Sequence, residues 1–135
     1  MSKQDSSFDF SSYLLSPTGR VEINLPNGDP MLHEGKRVAV NVYSPASAEY
    51  ARAEATMRRA AMQKVTGVKK SANDAEESAE IDARFLVSIT ASIENFPYPG
   101  GAEAIYRERG LLYIGEQVRQ YLNDQTNFFG KSKAS

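Results

Sequence analysis

Cysteine and tryptophan are absent from this 135-residue chain, and histidine occurs once, at His33. Without cysteine there is no disulfide framework, no thiolate nucleophile, no iron–sulfur cluster and no cysteine-based zinc site. One histidine does not build a multi-histidine metal centre. Charge of one sign is lacking too: 16 Lys+Arg stand against 17 Asp+Glu, for a formal net charge of -1. No overall field therefore draws the chain to nucleic acid or to an acidic membrane. Long hydrophobic runs are missing. The densest, Phe85 to Ile93, is bounded by Arg84 and Glu94, whereas a membrane-spanning helix needs about 20 apolar residues. Lys3, Asp5 and Asp9 lie among the first serines, and no signal-peptide core follows them. A cytoplasmic protein is expected, in keeping with the missing cysteines. The length suits one domain, able to bury roughly two-thirds of its unfolded surface without staples.

Catalytic patterns are equally scarce. Glu76 and Glu80 are spaced to neighbour each other on a helix, but at the exposed start of one they read as a solvated face rather than an acid–base pair. His33 falls in a turn-rich loop. Pro99-Gly100-Gly101 lacks the frame of a phosphate loop, and no serine occupies a G-x-S-x-G elbow. The chain is expected to be no enzyme, with no catalytic residue, no metal ligand and no cofactor.

What is present is a mixed pattern. Residues 1–19 are serine-rich, with Phe8, Phe10, Tyr13, Leu14 and Leu15 as a short apolar anchor, either one helical turn or an extended strip. This segment is expected to be partly disordered. Val21, Ile23 and Leu25 alternate with polar residues, as do Val38, Val40 and Val42. Such period-two patterns predict strands with one buried face. Between them, Pro26-Asn27-Gly28-Asp29-Pro30 and His33-Glu34-Gly35-Lys36 mark turns. An antiparallel ribbon over 20–43 follows, its connection too long for a tight hairpin.

Ser44-Pro45 then opens a helix, with Ser44 as cap and Pro45 in the first helical position. It is predicted to run to about Val65 and stop at Gly67. Its apolar face is Tyr50, Ala53, Met57, Ala60, Ala61 and Val65. After a 67–73 linker, Asp74 and Glu77 form a capping-box pattern, and Ile81, Phe85, Ile89 and Ile93 recur every four residues. That predicts one helix to Phe96, ended by Pro97, Pro99 and Gly100. A short helix over Ala102–Arg109 closes at Gly110. An amphipathic helix carrying Leu111, Ile114, Val118, Tyr121 and Leu122 runs to about Thr126. The expected class is α+β: a small N-terminal antiparallel β-ribbon followed by three to four helices over 45–126, within a single domain 20–129, and a flexible 130–135 tail.

The near-zero charge hides a split. Residues 46–72 hold six cations and two anions, for +4, and residues 73–95 hold one cation and six anions, for −5. The simplest reading is a helical hairpin whose arms attract each other. A nucleic-acid helix is disfavoured, because the basic side chains scatter around the helix and no aromatic platform interleaves them.

Two stretches together carry a resemblance. The first is Thr18-Gly19-Arg20-Val21-Glu22-Ile23, then Leu25-Pro26-Asn27-Gly28-Asp29-Pro30-Met31, Gly35-Lys36-Arg37-Val38-Ala39-Val40 and Ser44-Pro45-Ala46-Ser47-Ala48-Glu49-Tyr50. The second is Gly110-Leu111-Leu112-Tyr113-Ile114-Gly115-Glu116-Gln117-Val118, ending in Asn123-Asp124-Gln125-Thr126-Asn127-Phe128-Phe129. They resemble the opening ribbon and the C-terminal helix of the tail assembly chaperones of long-tailed bacteriophages. The resemblance implies a protein that coats the long helical tape measure protein, keeps it soluble, and brings tail tube subunits to it, with no nucleotide or metal. It implies action in the host cytoplasm, absence from the mature virion, and a homo-oligomer as one possible form. It also brings a programmed frameshift near the gene's end, for which Gly130-Lys131 is a candidate site. Capture of a helix needs exposed apolar surface. The candidate partner-binding residues are Met57 and Met62, since methionine adapts to varied partners, together with Tyr121, Phe128 and Phe129. For Met57 and Tyr121 core packing is the simpler role. The alternatives are a small tail component retained in the virion and a nucleic-acid-binding regulator.

Overall fold

The computed structural model describes residues 10–66 and 74–129. Expectations for residues 1–9, for the 67–73 linker with its Gly67 stop, and for the 130–135 tail with Gly130-Lys131 lie outside the described residues. In chain order the strands and helices are β1 (Thr18–Glu22), β2 (Leu32–His33), β3 (Lys36–Arg37), β4 (Ala39–Tyr43), α1 (Ala48–Thr66), α2 (Asp74–Ser88), β5 (Thr90–Glu94), α3 (Gly101–Arg107) and α4 (Leu112–Asn123). Turns of 3-10 helix lie at Phe10–Tyr13, Arg109–Leu111 and Gln125–Phe128. The class is α+β: a small antiparallel sheet and four helices.

The apolar anchor takes both forms considered for it. A 3-10 turn at Phe10–Tyr13 gives way to an extended strip, in which Leu15 bridges Phe129 and the Ser16 amide donates to the Phe128 carbonyl at 2.7 Å. The segment before β1 is thereby tied to the last 3-10 turn.

The ribbon is present, with β1 antiparallel to β4 in a register that sets Val21 opposite Val40 and Gly19 opposite Val42. Alternation sends Val21, Val40 and Val42 into the core and leaves Arg20 and Asn41 on the other side. There Arg20 grips Glu94 at 3.0–3.2 Å, and the Asn41 amide donates to Ser92 and Glu94 at 2.9 and 2.8 Å. The long connection holds a tight hairpin of its own, β2 with β3, turned by Glu34 and Gly35 at φ 53° and 80°. Two successive positive φ values make the turn whose twist suits a hairpin.

Two sequence expectations need correction. The helix after the ribbon begins at Ala48, not at Pro45. Ser47 is its cap, its Oγ accepting from the Tyr50 amide at 3.0 Å. Ser44 is buried and turns the chain: its Oγ accepts from Ala46 N, and its carbonyl accepts the Ser47 hydroxyl at 2.8 Å.

The second correction concerns residues 74–96, which are not one helix. The helix α2 ends at Ser88, and Thr90–Glu94 becomes β5, the third strand of a sheet ordered β1-β4-β5. Leu86 and Phe85 carbonyls at the helix end are taken by the Thr90 hydroxyl at 2.7 Å and the Ile89 amide at 3.1 Å. With its proton spent on Leu86, the Thr90 hydroxyl receives that of Tyr106 at 2.7 Å. Burial pushes the Tyr106 phenol up to about 12.

The helices cover the inner face of the sheet. Phe85, Leu86 and Ile89 of the α2 end meet Ile105 from α3 and Ile114, Val118 and Leu122 from α4 in one core. The two shorter C-terminal helices also end differently from expectation: α3 stops at Arg107, Gly110 lies inside a 3-10 turn, and α4 stops at Asn123 before a last 3-10 turn.

Candidate functional site: a three-helix cleft

Most of α1 lies to one side of that core and touches it through α2. Tyr50 packs edge-on against Phe85, ring centroids 5.4 Å apart, and Ala53 is buried beside them. Further along α1 the side chains toward α2 are short apart from Met57. The contact does not fill, and a cleft of about 250 Å³ opens between α1, α2 and α3. Its apolar lining is Ala53, Met57, Ala60, Ile81, Phe85 and Val87. Arg84, Arg107 and Glu103 stand at its edges.

One wall is clamped. Glu80 accepts from Arg84 at 3.2 Å within α2, and from Arg107 of α3 at 2.9 and 2.7 Å. The Arg107 guanidinium, with Arg84 behind it, holds the Glu80 carboxyl at about 2. Among the described residues no ion pair joins the acidic α2 to the basic α1, and Lys69 and Lys70 of the basic segment lie outside them. Among the described residues the inter-helix ion pairs of α2 run to α3, through Glu80 and Arg107, and to α4, where Asp82 meets Arg119 at 3.1 Å. Apolar contact holds α1 to α2, so the guanidinium groups of α1 remain at the surface.

The five partner-binding candidates do not form one surface. Met57 lines the cleft, half-buried. Met62 is 64% exposed but lies five residues on, about 140° around the helix, and so faces elsewhere. Tyr121 packs edge-on against Phe128 at 5.2 Å, donates its hydroxyl to the Asn127 carbonyl at 3.4 Å, and lies against Gly19 at the outer edge of β1. Gln117 covers the same edge nearby, accepting from Asn24 N and donating to Asn24 O, each at 2.8 Å. Such covering blocks stray strand pairing. Phe128 is fully buried and belongs to the core, so the Phe128–Phe129 pair is not a joint contact surface. Phe129 is 49% exposed, beside the bridge it makes with Leu15.

Sequence reasoning missed Ala53, Ala60, Ile81 and Val87 as cleft lining, and Arg84 and Arg107 as its edge. The alanine stripe was visible but reads as close packing. That it leaves space depends on where α3 sits.

The cleft offers apolar surface flanked by fixed charge, a surface able to bury an apolar stripe. Among the described residues no group of three or more His, Asp or Glu is placed to hold a metal ion. No described helix is long and apolar enough to cross a membrane. In comparisons with protein-family models, curated proteins and solved structures, nothing matches the chain.

Proposed function

We propose that this chain is a non-enzymatic tail assembly chaperone of a long-tailed phage. It binds the tape measure protein in the host cytoplasm, keeps it soluble, and helps recruit tail tube subunits. The reading is supported by the resemblance of the β1–β4 stretch and of the Gly110–Phe129 stretch to that family. The observation that carries it is the cleft between α1, α2 and α3, with Met57 in its lining. A tape measure protein is a long helical chain with apolar stripes, and a groove of this kind buries such a stripe. Methionine lets the groove adapt as successive segments pass.

Co-expression with the tape measure protein of the same phage tests this. The soluble fraction of the partner should rise with this chain present. It should fall back with Ala60→Arg, which fills the cleft from a half-buried surface position. A partner equally insoluble with and without the chain refutes the proposal. Mass spectrometry of purified particles should find the chain absent, and its presence there would favour a retained tail component.

A further inference from the structure

The charge around the cleft specifies its occupant more closely. Thr56 lines the cleft wall, and Arg59 leans onto it, its guanidinium 3.5 Å from the Thr56 hydroxyl. Arg52 precedes Thr56 by four residues, so Arg52, Thr56 and Arg59 form one strip along the α1 side of the opening. Both arginines are exposed, and among the described residues neither has an ion pair. Arg84, with its side chain 65% exposed, stands on the α2 side. Arg107 completes the α3 side, shared with Glu80.

Of the anions around the opening, Glu103, Glu80 and Glu54 are each held by an arginine. Glu103 lines the cleft and leans on Arg107 at 3.8 Å. Glu80 is clamped between Arg84 and Arg107. Glu54 pairs with Arg58, on the far side of α1 from Thr56. Glu49 lies one turn before Ala53 and marks where the cationic stretch ends. The opening thus has an apolar floor between arginine-bearing edges.

We infer that the cleft takes a single amphipathic helix whose apolar stripe is flanked by carboxylates. Alanines at 53 and 60 let a helix approach closely, with Met57 packing around its larger side chains. The Arg52–Arg59 strip and Arg84 then meet carboxylates on either side of the stripe. Charge adds preference and register, and the apolar floor adds affinity. This rests on the chaperone reading and narrows it: segments of the partner bind in order of the acidity that flanks their apolar stripes.

The test uses the full chain and two fluorescent synthetic helical peptides with the same Leu/Ala stripe, one flanked by glutamates and one by lysines. By anisotropy at low salt, the glutamate peptide should bind about tenfold tighter, the sum of a few exposed ion pairs. The gap should close near 1 M salt, where screening acts within about 3 Å. The exposed double variant R52E/R59E should invert the preference, and A60R should block both peptides. Equal binding of the two peptides, a preference that R52E/R59E leaves unchanged, or no binding by either overturns the inference. So does a concentration-dependent dimer that A60R abolishes, since the occupant is then a second copy. If the peptides fail while co-expression still solubilises the tape measure protein, the inference falls and the chaperone reading stands. If co-expression fails while the charge preference holds, the reverse follows.

Discussion

Replacing Phe128 by alanine tests the claim that this ring belongs to the fold and Phe129 to the surface. Phe128 is fully buried in a 3-10 turn that follows the last helix. Its ring packs edge-on against Tyr121 at 5.2 Å and fills the space over Gly19, where a side chain would come within 2.6 Å of it. Deleting a fully buried phenylalanine costs about 4 kcal/mol, transfer and cavity terms together, and the lost aromatic pairing falls within that figure. A domain of this size is expected to have a total stability of roughly 5–15 kcal/mol, so the variant should remain folded but close to the edge. The same cost lowers the melting temperature by roughly 10–20 °C. Phe129→Ala, at a half-exposed position, should cost under about 1 kcal/mol. Thermal and urea unfolding followed by far-ultraviolet circular dichroism measure both. If Phe128→Ala costs less than Phe129→Ala, the assignment of the two rings is wrong, and with it the account of how the C-terminal turn closes the fold.

Other outcomes follow from single contacts. Gly19→Ala sets a methyl 2.6 Å from Phe128 Cε1 and 2.8 Å from Tyr121 Cε1, which should cost about 2 kcal/mol in urea unfolding. Ser47→Ala removes the α1 cap and should cost about 1 kcal/mol, whereas Pro45→Ala, outside the helix, should cost less. The Glu80 carboxyl, held at about 2 from its ordinary 4.5 by Arg107 and then Arg84, stabilises the fold above pH 4.5 and loses that contribution as pH falls toward 2. Glu80 is well exposed, so solvent screening keeps the effect under about 1 kcal/mol. Glu80→Gln should be the less stable protein at pH 7 and equal to the parent near pH 2. A gap that does not close on acidification would remove the ion pair as its cause.

Local signals carried much of this fold. Val21 and Ile23, and Val38, Val40 and Val42, alternate strongly enough to define β1 and β4 and their inner face. Ile114, Val118 and Leu122 define the buried face of α4 in the same way. Both patterns are read correctly from one segment because each lies on a single element with a single period. The residues Ile81, Phe85, Ile89 and Ile93 are a different case. A spacing of four is even, so it fits one face of a strand as well as one face of a helix. Nothing local decides between them.

The tertiary structure decides, because β4 has two edges and β1 satisfies only one. The other edge, with the Tyr43 amide donating to the Ile89 carbonyl at 2.8 Å, is satisfied only if the chain leaves the helix at Ser88 and runs extended. The cap at Ser47 rather than Ser44 has the same origin, since Ser44 is drawn into the core beside the Pro17 carbonyl, to which its amide donates at 2.8 Å. The cleft goes furthest beyond the sequence. Its alanines, its methionine and its arginines are all plain in the one-dimensional chain, and their helical spacing belongs to the sequence alone. That they border open space, with guanidinium groups free of ion pairs along one side among the described residues, comes from how α1, α2 and α3 pack, the inter-helix ion pairs of α2 running to α3 and α4. Charge totals along the chain do not reveal which cation a carboxylate will meet, because that depends on the distances only the folded packing sets.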